Sequence, residues 1–155
     1  MPDAPATKNI ATNRRARFNF TLLETLEAGI ALTGSEIKSA REGKVNIAEA
    51  YVQIRDGQAW LHNAHIAQYQ AAGPFGQHET TRPRKLLLHR REIEHLSLEV
   101  QRQRLTVVPL RLYIKGRVAK VEIALAQGKR QVDQRETIKK READREISRA
   151  MRVKA

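Results

Sequence analysis

"VVPLRLYIKGRVAKVEIALAQ", Val107 to Gln127, decides the fold. Val108, Leu110, Leu112 and Ile114 alternate up to Lys115-Gly116-Arg117, and Val121, Ile123 and Leu125 alternate after it, so the period is two on both sides of a glycine turn. This reads as a hairpin with one apolar face, and such a face has to be covered by further strands or a helix.

The upstream sequence supplies both. Ala50, Val52 and Ile54 alternate up to Asp56-Gly57, a type I′ turn signal, and "QAWLHNAHI" follows with Trp60, His62, Ala64 and Ile66 on one face, a second hairpin. Earlier, Phe18, Phe20 and Leu22, then after a break Ala28, Ile30 and Leu32, predict one long, bent or bulged strand. "TGSEIKSAREGK" changes the period. Ser35 is placed to cap a short helix that turns Ile37 and Ala40 inward, and Gly43 to end it. "HRREIEHLSLEVQRQR" keeps helical spacing at Ile93, Leu96 and Val100, and the preceding "AAGPFGQHETTRPR", with two glycines and two prolines, reads as a long surface loop. The order of elements has too few helices to cover both faces of a parallel sheet. The expected fold is mostly β with helices: an OB-like closed β-barrel of about six strands with two or three short helices. It spans residues 13–127, between a flexible lead at 1–12 and a basic tail at 128–155.

Charge narrows the function. The 155 residues carry 29 Lys and Arg against 17 Asp and Glu, a formal charge of +12, which repels itself unless a polyanion is the usual partner. Nucleic acid is the first expectation. No cysteine occurs, which excludes disulfides, thiolate zinc sites and cysteine nucleophiles, and no window has the apolar length of a membrane span. A soluble cytoplasmic monomer is expected. The five histidines show no metal-ligand spacing and no phosphate-cradling or nucleophile motif is present, so neither metal, cofactor nor enzymatic activity is expected. "TRPRKLLLHRR" is more informative, because its leucines fix Arg82, Arg84, Lys85, Arg90 and Arg91 to the fold near the barrel mouth, where a sugar-phosphate backbone would need cations. Arg14, Arg15, Lys38, Arg41 and Lys44 form two lesser groups. Aromatic residues are few and read as core, so recognition of a folded RNA by shape and backbone is expected rather than stacking on unpaired bases.

Beyond Gly128 the chain carries ten Lys or Arg and five Asp or Glu, and its helix-forming residues have only Ile147, Ala150 and Met151 as an apolar stripe. Such a helix is marginal alone, so the tail is expected to be disordered when free and helical in an anionic groove.

With "NRRARFNFTLLETLEAGIALTGSEIKSAREGKVNIAEAYVQIRDG", "RPRKLLLHRREI", "VPLRLYIKGRVAKVEIALAQGKR" and the DxRxxIKxRE pattern from Asp133, the chain resembles small protein B, partner of transfer-messenger RNA in bacterial trans-translation. The resemblance implies an adaptor whose body binds the tRNA-like domain of that RNA in place of an anticodon arm. Its tail enters the decoding centre and empty messenger channel of a stalled ribosome, with alanyl-tRNA synthetase and elongation factor Tu as indirect partners. It assigns Glu27 and Leu87 to RNA binding, and His89 beside Arg84, Lys85 and Arg90; the charge pattern, not the resemblance, adds Arg14, Arg15, Lys38 and Lys44 as expected RNA-binding cations. In the tail it implies a hinge at Gly128, Lys129 and Arg130, then Val132, Asp133, Arg135, Ile138, Lys139, Arg141, Ile147 and Met151 as ribosome contacts. Gln134 stands where the family has a cation, and Val132 where it has an aromatic residue or histidine. Two other readings stay open from the residues alone: a ribosomal protein built permanently into a subunit, and an RNA-processing enzyme.

Overall fold

The computed structural model describes residues 7–69, 73, 78–128 and 140–147. In chain order the elements are β1 (Thr7–Thr12), α1 (Arg14–Asn19), β2 (Phe20–Ile30), α2 (Gly34–Arg41), β3 (Val45–Asn46), β4 (Tyr51–Arg55), β5 (Gln58–His62), β6 (His65–Ile66), β7 (Arg84–Leu87), α3 (Arg90–Gln103), β8 (Thr106–Lys115) and β9 (Val118–Gly128). Residues 140–147 are helical and exposed throughout.

Six antiparallel strands close on themselves. β8 pairs with β9, β9 with β2, β2 with β7, β7 with β5, β5 with β4, and β4 returns to β8 through the single pair Val52–Val107. Ala28, Val52, Ala59, Leu61, Leu86, Val107, Leu112, Val121 and Ile123 fill the interior, each side chain from a different position of the alternating pattern. Leu96 of α3 joins this cluster, and α3 packs over β4 and β8, so the weakly paired seam is held by side chains rather than by a ladder.

The expected ring of strands is present, but several local readings are corrected. Phe18, read as the start of the long strand, lies in α1, and β2 begins at Phe20. Thr7–Thr12, taken as part of a flexible lead, form β1 and pair with the far end of β8, Thr7 opposite Lys115 and Thr12 opposite Arg111. Helix α2 is capped by Thr33, not Ser35: the Thr33 Oγ1 accepts from the Glu36 N–H at 3.3 Å while Glu36 accepts from the Thr33 N–H at 2.8 Å. Trp60 and His62 do not share a face with Ala64 and Ile66, because Asn63 takes φ 60° and breaks the period; Ala59 and Leu61 face inward instead. Finally, a bulge between Pro109 and Arg111 swaps the faces of β8. Val108 and Leu110 therefore pack outside the ring with Ala16 of α1, Ala124 and Ala126, while Leu112 points inward. Asn13 fixes α1 there, donating from its side chain to the Pro109 carbonyl at 2.9 Å and from its backbone to that of Leu110 at 2.7 Å.

Arg84, expected to contact RNA, is fully buried and serves the fold. Its guanidinium donates to Glu36 Oε2 at 2.5 Å and to the carbonyls of Ala64 at 2.6 Å and Thr80 at 3.0 Å, tying β7 to α2, to the segment before the long loop and to the loop's own second half. Arg82 donates to the other Glu36 oxygen at 2.5 Å. Burial pushes the Glu36 carboxyl up, but Arg82, the Thr33 N–H and Arg84 outweigh it and hold the group below the usual carboxylate range. His78, placed on the surface loop by sequence, is also buried, with its two ring nitrogens 3.0 Å from the Ile66 carbonyl and 2.8 Å from Ser35 Oγ.

Arg84→Ala leaves Glu36 buried with half of its compensation, so unfolding free energy at neutral pH is expected to fall by about 3–5 kcal/mol in a urea melt. A carboxylate with a depressed folded pKa stabilises above its ordinary titration range and loses that contribution as pH falls through its folded value. The gap between wild type and variant should therefore narrow as the melts are repeated at increasingly acid pH.

Candidate nucleic-acid interface

Register across β7, β2, β9, β8 and β1 builds one outward-facing surface. Leu86, Ala28, Val121 and Leu112 belong to the interior cluster, so their neighbours Leu87, Glu27, Gly29, Lys120 and Tyr113 point outward. In one row Glu27 stands opposite Glu122, and Glu122 opposite Arg111. In the next, Leu87, Gly29, Lys120, Tyr113 and Asn9 lie side by side across five strands. Two residues distant in sequence, Glu27 and Leu87, are thus brought to neighbouring positions.

Leu87 is 56% exposed, which is unusual for a leucine on a short central strand. It lies over the bare backbone of Gly29, where an added Cβ would stand 3.2 Å from the Leu87 Cβ. The missing side chain makes a shallow saddle beside Lys120.

The Glu27 carboxylate accepts a hydrogen bond from the Tyr113 hydroxyl. That bond is the main reason its pKa lies below the usual range; burial, the next effect in size, opposes it, and the fields of Lys115, Lys120 and Arg111 act with the bond. Burial, then the bond to Glu27, pushes the Tyr113 hydroxyl up to about 12. At neutral pH the pair is consequently a phenol donor and a charged acceptor. The Arg111 guanidinium sits 4.2 Å from the Tyr113 ring centroid and donates to Glu122 at 3.4 Å. Chemically, the surface offers a carboxylate for N–H or O–H donors, ammonium groups for phosphates and an apolar contact between them.

Other sequence-predicted residues fall around it. Lys85 is half-buried, two positions before Leu87 on the same outer face and opposite Trp60. His89 is exposed at the start of α3, where Glu92 accepts from its N–H at 3.0 Å, and Arg90 pairs with Glu94 at 3.2 Å. Arg14 and Arg15 stand exposed on α1, Arg15 with Glu49 at 3.4 Å. Lys38 lies 5.7 Å from the Tyr69 ring centroid and Lys44 pairs with Glu42 at 3.1 Å. These last four are not on the strands that carry Glu27 and Leu87. Gly128 ends β9 opposite Phe20, and Arg141 and Ile147 belong to the exposed helical stretch. Lys129, Arg130, Val132, Asp133, Arg135, Ile138, Lys139 and Met151 lie outside the described residues.

Sequence reasoning missed Gly29, Tyr113, Lys120 and Arg111. Alternation alone places Tyr113 opposite Leu112, but only strand register brings it to Glu27.

A closed ring of strands with a cation-flanked carboxylate and an exposed leucine on its outer face is the outline of a small polyanion-binding module. The family model described as SmpB protein matches residues 10–153. An SsrA-binding protein of Roseiflexus sp. (strain RS-1) is 58% identical over 92% of this chain and 90% of its own, and one of Trichodesmium erythraeum (strain IMS101) is 54% identical over 94% and 93%. A solved structure described as "tmRNA-SmpB: a journey to the center of the bacterial ribosome" superposes with a TM-score of 0.67 at 42% identity, covering 84% of this chain and 94% of that one. The chain belongs to the SmpB family. Among the described residues no helix is long and apolar enough to cross a membrane.

Gly29→Ala sets a methyl group against Leu87, which has open space to swing into. The expected cost is about 1 kcal/mol, the low end for an overpacked site, together with a displaced Leu87 methyl signal in a ¹³C-methyl spectrum; unchanged Leu87 signals would contradict the saddle.

Proposed function

We propose that this protein is the RNA-binding adaptor of trans-translation: it binds the tRNA-like domain of transfer-messenger RNA and accompanies that RNA into stalled ribosomes. The single observation that carries the reading is the row that sets Leu87 on Gly29 beside Glu27 and Lys120. It unites, on one exposed face, the two residues that the resemblance to small protein B singles out, and the SsrA-binding names of the relatives agree with it. Lys85, Lys115 and Lys120 have no carboxylate within ion-pair distance among the described residues, which suits them to phosphates. His89 and Arg90 extend the face toward α3, and Arg14, Arg15, Lys38 and Lys44 are peripheral cations.

The tail beginning at Gly128 acts separately, entering the decoding centre and empty messenger channel. The exposed helical stretch at 140–147, with Ile147 56% exposed, supports a segment whose partner is not this chain's own core. Peptide transfer belongs to the ribosome, the protein itself performs no catalysis, and its place of work is the cytoplasm.

A gel-shift titration with transfer-messenger RNA tests the reading. Binding should weaken about 10³-fold between 50 and 200 mM salt if some six phosphates are contacted. Affinity that ignores salt would sink the interface. A chain stopped after Lys129 should keep its RNA affinity and lose tagging of stalled ribosomes; equal loss of both activities would refute the division between body and tail.

A further inference from the structure

The Glu27–Tyr113 bond is more than a neighbouring contact. Tyr113 is only 2% exposed although it belongs to the outer face of the ring, and its hydroxyl donates to the carboxylate of Glu27. Its ring is covered by Arg111, which is itself held by Glu122, so the sequence Glu122, Arg111, Tyr113, Glu27 runs through three adjacent strands. The hydroxyl engages Glu27 Oε2, and no other hydrogen bond among the described residues engages the carboxylate.

We propose that Tyr113 is a positioning residue of the RNA interface, which holds Glu27 as an oriented, charged acceptor so that Oε1 can receive one N–H or O–H donor of the bound RNA. The proposal rests on the RNA-binding reading and states what chemistry that face selects.

Two physical arguments carry it. A glutamate on an open strand face samples several rotamers, and binding would have to freeze them; the bond to a buried phenol does so beforehand. Bound RNA also surrounds the carboxylate with phosphate charge, which favours the protonated acid, and a protonated oxygen would donate rather than accept. The phenol, with Lys115, Lys120 and Arg111 around the same carboxylate, opposes that change. A charged carboxylate has no donor, so it cannot bond a phosphate oxygen. Its complement is a base amine, a base imino group or a ribose 2′-hydroxyl.

The test uses full-length Tyr113→Phe, Glu27→Gln and the double variant. In the free protein, the titration of the Glu27 carboxyl carbon followed by ¹³C NMR should move to higher pH in Tyr113→Phe, a signature that loss of packing alone would not produce. Against transfer-messenger RNA, each single variant should bind about fivefold to thirtyfold more weakly, part of the worth of a hydrogen bond to a charged group because an acceptor oxygen remains in each, and the double variant no more weakly than Glu27→Gln. Melting temperatures should stay close to wild type. If Tyr113→Phe melts early, Glu27→Gln, on the exposed end of the bond, must still weaken binding without melting early.

To separate base from ribose donors, the tRNA-like domain is transcribed with scattered 2′-deoxy nucleotides, inosine for guanosine or purine riboside for adenosine. One class should interfere at a position with wild type and lose that interference with Glu27→Gln. Multiplying losses in the double variant, an unmoved Glu27 titration, Glu27→Gln binding as wild type, or interference unchanged by Glu27→Gln would each overturn the proposal. Failure of the wild-type protein to bind the RNA at all would instead strike the functional reading beneath it.

Discussion

The bulge in β8 between Pro109 and Arg111 is the constraint on which the rest turns. β8 serves three neighbours, β9 along one edge and β4 and β1 on successive parts of the other, and one strict period could not satisfy them. Before the bulge, Val107 faces the ring and Val108 lies under α1; after it, Leu112 faces the ring and Arg111 and Tyr113 point outward. Without the extra residue, one of these sets would present its apolar side chains to water and bury Arg111. Proline fits here because a bulge releases the ladder donor that it lacks. The freed carbonyl of Pro109 then accepts from Asn13, so the irregularity also anchors the helix that covers it.

Two glutamates show how the same residue type takes opposite roles. Glu36 is fully buried, and its charge is tolerable only because two guanidinium groups and a backbone N–H satisfy both oxygens. It binds α2 to β7 and has no acceptor capacity turned to solvent. Glu27 is exposed, has one tyrosine partner and keeps an oxygen available. Both carboxyls are held below the usual range, yet by different means: compensated burial in one, an oriented phenol and a field of lysines in the other. A depressed pKa alone does not distinguish the buried carboxylate that ties elements together from the exposed one with an oxygen to spare.

The two hairpins and the helix at Ile93, Leu96 and Val100 were legible because period and turn residues are local properties. Asp56 and Gly57, with φ 52° and 71°, reverse the chain where the dipeptide signals it. What was not legible depends on partners far along the chain. Arg84 sits in a basic cluster that reads as a solvent-facing patch, and nothing nearby reveals that Glu36 and the carbonyls of Ala64 and Thr80 will enclose it. Thr7–Thr12 shows no apolar period, and among the described residues β1 pairs with one strand, along the part of the β8 edge that β4 leaves open. Glu27 and Leu87 were available only through resemblance, while the residues that join them, Gly29, Lys120 and Tyr113, required register.

Positive charge alone therefore does not locate the interface. Removing Arg82 and Arg84 to the Glu36 site, Arg15 to Glu49, Arg90 to Glu94 and Lys44 to Glu42 accounts for much of what the sequence presents as basic clusters. Among the described residues Lys115 and Lys120 have no ion-pair partner, and both act on the Glu27 carboxylate that stands with them on this face. A surface selected for affinity alone would discard that carboxylate, since it repels every phosphate. If this face binds RNA as proposed, keeping the carboxylate tethered and charged trades attraction for discrimination: a duplex backbone offers it nothing, whereas a folded RNA can present one donor to it. The shallow saddle at Gly29, over which Leu87 lies, stands two positions along β2 from that carboxylate and would shape the same recognition.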